Sequence, residues 1–180
     1  MAKLKPLRDR WLPIGDWADI VRELTDADDR TKSIVAAAYI ENDLALALLA
    51  RLRLLDEAGQ KLLFEKEHSP LGTFSKMIDM GWALNLYDVA VWDDLHRIRK
   101  VRNEFAHNLH VRSFDDREVR KHCDGLKGIK RLEPRKHQTK PRTRGECYID
   151  LAAHFGHRFA LDSHAHRRPD PSLNRITPDY

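Results

Sequence analysis

The chain of 180 residues contains only two cysteines and no long apolar segment. Cys123 and Cys147 do not make the disulfide framework of a small secreted domain, so we expect a reduced, cytoplasmic setting. The longest apolar run, Ile34–Ile40, is far too short to span a bilayer. The basic N-terminus lacks the apolar core of a signal peptide. From these features we expect no membrane association.

Also absent are the patterns of several common folds and sites. No segment alternates apolar and polar residues as a half-buried strand does, and no internal repeat is visible. There is no glycine-rich phosphate loop, and no serine or cysteine lies in the context of a nucleophile. We expect no metal and no cofactor, because the late histidines and the cysteine before them match no closed ligand set: Cys147, His154, His157, His164 and His166.

The remaining pattern is helical, in an ordinary soluble composition. Hydrophobic residues make up 42% and charged residues 33%, which suffices for one buried core. We predict an all-α fold, a bundle of long antiparallel helices with shorter helices packed around it. Its predicted parts are an irregular N-terminal arm (1–15), a helical core (16–126), a basic loop (127–142), a C-terminal helix packed on the core (143–161) and a flexible tail (162–180).

Two predicted helices each carry one charged residue inside an apolar stripe. In Arg30–Leu55 it is Glu41, and in Asp88–Asn108 it is Arg102. An arginine does not lose its proton, so it is unfavourable on the inner face of a helix unless it is paired. We therefore predict that Glu41 and Arg102 form a buried, bidentate ion pair between the two helices. The stripe residues are Ile34, Ala37, Ala38, Ala45, Leu48, Leu52 and Leu55 in the first helix, and Val91, Leu95, Ile98, Phe105 and Leu109 in the second.

The residues that follow Arg102 suggest chemistry as well. RNA cleavage without a metal needs a base, an acid and positive charge at the phosphorane. His107 suits the first two roles and Arg102 the third. On an ideal helix these two side chains point about 140° apart, so they could cooperate only if the helix loosens at Ala106 or a partner subunit completes the site. In the structural alternative, Arg102 only pairs with Glu41 and His107 only stabilises the helix C-terminus.

The segment 102–107, RNEFAH, resembles the Arg-polar-x-x-x-His motif of the HEPN superfamily, a group of small all-helical proteins that includes many ribonucleases. Over about residues 28–125, a series of motifs resembles one branch, the mannitol operon repressor (MltR) family: PLGTFS at 70–75, ALNL at 83–86, DDL at 93–95 and IRKVRNEFAH at 98–107. The resemblance implies an HEPN-like bundle and a two-fold homodimer that brings two motifs to one cleft. The candidate catalytic residues are then Arg102, Asn103 and His107, supported by Glu41.

Two functions are open at this point. The MltR resemblance implies a negative regulator of a sugar-uptake type of operon that acts without catalysis, and we favour it because the longer match points to that branch. The intact motif and the HEPN resemblance imply a metal-independent endoribonuclease. The sequence contains no clear helix-turn-helix, so any DNA contact would rest on the basic loop and be weakly specific. RNA or a partner protein is an equally open partner.

The net charge of +4 is unevenly distributed along the chain. Residues 1–112 hold 17 basic and 18 acidic side chains, whereas residues 113–180 hold 15 and 10. A basic cluster attracts polyanions and makes their binding depend on salt, although a merely solvated loop has the same composition. The candidate nucleic-acid contacts are the basic residues in and beside the predicted loop: Lys127, Lys130, Arg131, Arg135, Lys136, Lys140, Arg142 and Arg144.

Overall fold

The structure is a computed structural model that describes residues 16–52, 57–65, 68–132 and 141–166. Within these ranges every regular element is helical, which confirms the predicted all-α class. The predicted N-terminal arm, the loop residues 133–140 and the tail residues 167–180 lie outside the described residues.

The described part of the chain forms seven α-helices and two short helical segments of other types. The element order is α1 (Asp16–Thr25), α2 (Asp29–Arg51), α3 (Glu57–Gln60), a π-helical segment (Lys61–Glu65), α4 (Phe74–Ala83), α5 (Val89–His107), α6 (Arg117–Cys123), a 3-10 turn (Gly128–Arg131) and α7 (Arg144–Ala165).

Polar side chains fix the start of several helices. Helix α7 begins with a capping box, in which the Thr143 hydroxyl accepts the Glu146 N–H at 3.2 Å and the Glu146 carboxylate accepts the Thr143 N–H at 2.7 Å. Helix α6 begins without such a box. There, Asp116 precedes α6 but accepts the N–H groups of Arg112 and Ser113, at 2.7 and 3.0 Å, and so stabilises the preceding turn.

The core is built on α2 and α7, which run parallel. Near the start of both helices, the Tyr148 hydroxyl donates to the Ser33 carbonyl at 3.2 Å. Near their ends, Arg51 of α2 pairs with Asp162 of α7. This pair also accounts for a wrong tail boundary. We predicted that the tail begins at residue 162, but α7 continues to Ala165 because its last turn is attached to α2.

The prediction that the long helices are antiparallel is therefore wrong for α2 and α7. The chain passes back to the start of α2 before α7 begins: the Phe114 N–H, in the turn after α5, donates to Asp29 at 3.1 Å. An antiparallel order does hold between α2 and α5, because Arg30 at the start of α2 contacts the carbonyl of Phe105 near the end of α5.

The first helix packs across α2 and α7 through one tryptophan. Trp17 is buried, and its indole N–H donates to the Asp43 carboxylate at 2.7 Å. A Cβ atom at Gly156 of α7 would overlap the Trp17 ring, so glycine is required where α1 crosses α7. Trp17 thus ties the N-terminal helix to both long helices of the core.

The predicted inner face of α2 is partly wrong. Ala38, expected inside, is exposed, and the carboxylate that lies in the core is Asp43, which is only 2% exposed. From Asp43 to Leu48 every residue of α2 is buried, since α2 contacts α1, α4, α5 and α7. A helix that is covered on nearly all sides has no single stripe for a periodicity to find.

Helix α2 is also long and apolar enough to cross a membrane by length and composition alone. In the fold, however, 56% of its most apolar window is buried against the rest of the protein. The core helix of a soluble protein and a signal sequence near an N-terminus both have this length and composition, so the helix is weak evidence for a membrane span.

Candidate functional site

The centre of the candidate site is the pair formed by Glu41 of α2 and Arg102 of α5. Nη2 of Arg102 donates to Oε2 of Glu41 at 3.3 Å, which confirms the predicted pairing. The pair is made through this one nitrogen and one oxygen, so the predicted bidentate geometry is wrong. The two side chains are 28% and 30% exposed, so the pair is half-buried and still reached by solvent.

Glu41 has a second partner that the sequence did not predict. The backbone N–H of Phe74, the first residue of α4, lies near its carboxylate and acts to lower its pKa. Carboxylates are favoured at such helix N-termini because the unsatisfied N–H groups and the helix dipole are positive there. Glu41 therefore joins α2 to α5 through Arg102 and lies beside the start of α4.

Burial raises the pKa of Glu41 above its ordinary value, although Arg102 and the Phe74 N–H both act to lower it. The partners therefore do not fully replace the hydration that the carboxylate has lost. In the folded protein, additional positive charge beside Glu41 would be favourable.

The structure places His107 away from this pair. Helix α5 is regular through His107, and the Asn108 N–H still donates to the Glu104 carbonyl at 2.9 Å. The loosening at Ala106 that would let one chain assemble the motif does not occur. Arg102 is directed at Glu41 of α2, whereas His107 is exposed at the end of α5. Asn103, the residue after Arg102, is half-buried. One chain therefore does not bring the three candidate catalytic residues to one point.

The end of α5 is held by Arg30, a residue that our sequence reasoning missed. Its guanidinium donates to the carbonyls of Phe105, Asn108 and Val111, the last two at 3.2 and 2.8 Å. The Phe105 carbonyl is one of the acceptors that a helix leaves unsatisfied at its C-terminus, Asn108 caps that end, and Val111 lies in the turn that follows. A cation suits the helix dipole there. Arg30 thus fills the structural role that the sequence suggested for His107.

The basic residues predicted to bind nucleic acid fall into two groups. Three are held by carboxylates of the same chain: Lys127 by Asp93 at 3.1 Å, Arg142 by Asp150 at 3.2 Å, and Arg144 by Asp115 and Asp124. The Arg142 and Asp150 side chains are only 13% and 14% exposed, so Arg142 belongs to the core rather than to a basic loop. Lys130 is exposed on the 3-10 turn. The side chain of Arg131 and the residues Arg135, Lys136 and Lys140 lie outside what the structure describes.

Metal and thiol chemistry find no support in the described ranges. They contain no group of three or more His, Cys, Asp or Glu side chains placed to hold a metal ion. Burial raises the pKa of the Cys123 thiol to about 12, which keeps it protonated and unreactive.

A cleft adjoins the Glu41–Arg102 pair on the side of α4. It lies between α2, the π-helical segment and the turn before α4, and Glu41 and Asn42 form part of its wall. The pair and the cleft together are the region where charge, partial burial and an open cavity coincide.

No protein-family model, curated protein or solved structure matches this chain. A function must therefore be argued from the residues and their geometry.

Proposed function

We propose that this protein is a non-catalytic negative regulator of gene expression, of the type represented by the MltR family. It acts as a homodimer by binding a nucleic acid or a partner protein. The family assignment rests on the series of motifs between residues 70 and 107 and not on any detected relative.

The observation that carries the non-catalytic assignment is the engagement of Arg102 by Glu41 at 3.3 Å. A nuclease of this motif type needs the arginine charge at the phosphorane. Here that charge is partly neutralised by a carboxylate and directed away from His107. The arrangement favours a role in holding helices together over a role in phosphoryl transfer.

Incubation of the purified protein with mixed RNA in EDTA tests this proposal, with wild type beside His107→Ala and Glu41→Gln. We expect no cleavage by any of the three. Cleavage by the wild type that is lost in His107→Ala would overturn the non-catalytic assignment. A contaminating nuclease would instead cleave equally in all three preparations.

Regulation itself is tested in cells that lack the gene. We expect a defined set of transcripts to rise in the deletion strain and to return to normal on complementation with either wild type or His107→Ala. If the His107→Ala protein fails to restore repression although it accumulates normally, regulation depends on the motif histidine. If no transcript changes, the protein is not a regulator.

A metal-independent endoribonuclease is the second candidate, and the exposure of His107 favours it. An exposed histidine at a helix end is open to a partner subunit, and a two-fold axis could supply acid and base from two copies. This candidate requires a dimer. Light scattering at tens of micromolar that gives a monomer mass would contradict it and would also remove the homodimer from the regulatory proposal.

A further inference from the structure

The cleft beside Glu41 has the size and lining of a small-molecule site. Its volume is about 330 Å³, within the range of about 300–1,000 Å³ that such sites occupy. Large apolar side chains of the π-helical segment, the turn before α4 and α4 itself line it, and so do two alanines of α2, of which Ala38 is exposed. The large apolar residues are Phe64, Leu71 and Met77.

Three polar side chains line the same cleft, and two of them are carboxylates. Glu41 lies half-buried in the wall, Asn42 is its neighbour on α2, and Glu65 is exposed on the π-helical segment. Among the residues that the structure describes, no basic side chain lines the cleft. A ligand that fits this lining therefore has an apolar body and a positively charged, hydrogen-bond-donating group.

The π-helical segment makes an independent argument for a binding role. Lys61–Glu65 follows α3 directly and places Phe64 and Glu65 at the cleft. A π-helix is rare and occurs frequently at functional sites, where it shifts side chains locally. Here the shifted residues are the ones that line the cavity.

We propose that this cleft binds a small amphipathic cation, a primary amine or a guanidine carried on an apolar body of roughly ten heavy atoms. The cationic group lies between Glu41 and Asn42, and the apolar body covers Phe64, Leu71 and Met77. The inference goes beyond the proposed function, because binding is measured directly and does not depend on whether the protein regulates or cleaves.

Binding in the cleft is coupled to Arg102, since both cations use the same carboxylate. A bound amine competes with Arg102 for Glu41, and by reciprocity removal of the Arg102 charge strengthens binding of the amine. Binding of an amine in the cleft should therefore weaken the contact between Glu41 and Arg102.

Titration calorimetry with 2-phenylethylamine, 2-phenylethanol and phenylacetate on the full chain tests the proposal. These probes all carry a phenyl ring on a two-carbon chain and differ in the charge of the terminal group. We expect 2-phenylethylamine to bind with a dissociation constant below about 1 mM, 2-phenylethanol at least about tenfold more weakly, and phenylacetate more weakly still. Equal binding of the amine and the alcohol would overturn the cation preference, and no binding of any probe would overturn the site.

Four variants assign the binding to the cleft. Ala38→Leu fills the rim from an exposed helix position, so the protein should stay folded by circular dichroism and lose binding. Glu41→Gln should weaken amine binding about tenfold, whereas Glu118→Gln, an exposed carboxylate on α6 that does not line the cleft, should leave it unchanged. Arg102→Gln should tighten it several-fold. Unchanged binding in folded Ala38→Leu, or an equal loss in Glu41→Gln and Glu118→Gln, would contradict the assignment.

Discussion

Two arginines join α5 to α2. Arg102 lies within α5 and Arg30 lies at the start of α2, and they bind different kinds of group. In the middle, Arg102 meets one carboxylate through a single 3.3 Å contact and remains half-buried. At the end, Arg30 reaches across from α2 and donates to three backbone carbonyls. The Arg102 contact depends on the Glu41 carboxylate, which can be protonated. The Arg30 contact uses backbone carbonyls, which are not ionisable and are held in place by the main chain. We infer that the end of α5 is the fixed point and that its middle is adjustable.

The difference matters because the motif residues span both regions. Arg102 lies at the adjustable contact, and His107 lies on the turn of helix that Arg30 fixes. A ligand or partner that acts on Glu41 would change Arg102 and leave the position of His107 unaltered.

The largest effect in this comparison is expected from the loss of Arg30. Arg30→Leu should lower the free energy of unfolding by about 3 kcal/mol, because the part-buried carbonyls of Phe105 and Val111 lose this donor. Arg30→Lys should recover a fraction of this, since one ammonium cannot reach all three. Urea denaturation measures both, with Arg22→Leu as the control, an exposed arginine on α1 whose loss should have little effect. Equal losses in Arg30→Leu and Arg22→Leu would refute the fixed end.

A smaller loss is expected when the adjustable contact is broken. Glu41→Leu should destabilise by about 1–3 kcal/mol, below the range for fully buried pairs, because solvent reaches both partners. Glu41→Gln should cost less, since the amide oxygen still accepts from Arg102 or the Phe74 N–H. The same denaturation measurements decide. If Glu41→Gln proves as damaging as Glu41→Leu, the charge and not the acceptor carries the contact.

How far the sequence predicted this fold depends on how much of each helix faces the core. Helix α1 (Asp16–Thr25) has one apolar side, and its buried residues Trp17, Ile20 and Leu24 have the helical spacing that a periodicity detects. Helix α2 is buried on almost every side from Asp43 to Leu48. Its apolar periodicity therefore placed Glu41 at the centre of the inner face, whereas the carboxylate that lies in the core is Asp43. Leu109 was predicted to be buried and is 79% exposed. Helix α5 ends at His107, and Leu109 lies in the turn whose carbonyls Arg30 binds.

The candidate site shows the same division. The Glu41–Arg102 pair was predictable because two charges of opposite sign interrupted two apolar stripes. Arg30 left no such signal, since it lies at a predicted helix start where a polar residue is expected and contacts residues 75 to 81 positions away. The ion pair of Arg142 with Asp150 was hidden by the surrounding basic residues.

The basic segment allows a further comparison, between its own basic residues and exposed basic residues elsewhere on the protein. If the basic segment, residues 127–144, contacts nucleic acid, replacing Lys130, Arg131, Arg135 and Lys136 by glutamine should weaken binding about tenfold and flatten its dependence on salt. The slope of log affinity against log salt should fall by up to about 0.9 for each phosphate that the variant no longer neutralises. A control with the same change in net charge carries glutamine at four exposed basic residues elsewhere: Arg22, Arg117, Arg120 and Lys121. Equal slopes in the two variants would show that the basic segment does not contact the nucleic acid.

The smallest effect separates the two arginines by pH. The Arg30 contact is made to backbone carbonyls, which are not ionisable, so its contribution to stability should not depend on pH. The pKa of Glu41 is raised in the folded state, which therefore binds more protons than the unfolded chain at pH values above its ordinary pKa of 4.5. Unfolding free energy then falls as pH rises through that window, because the folded state must give up a proton that it holds more tightly.

Denaturation of wild type, Glu41→Gln and Arg30→Leu from about pH 4.5 to about pH 7 therefore tests the comparison itself. The stability of wild type relative to Glu41→Gln should decrease as pH rises, by less than about 1 kcal/mol because the site is partly solvated. The stability of wild type relative to Arg30→Leu should not change over the same range. A wild-type advantage over Glu41→Gln that instead grows with pH would mean that Arg102 and the Phe74 N–H outweigh burial, and the middle of α5 would then be held as firmly as its end.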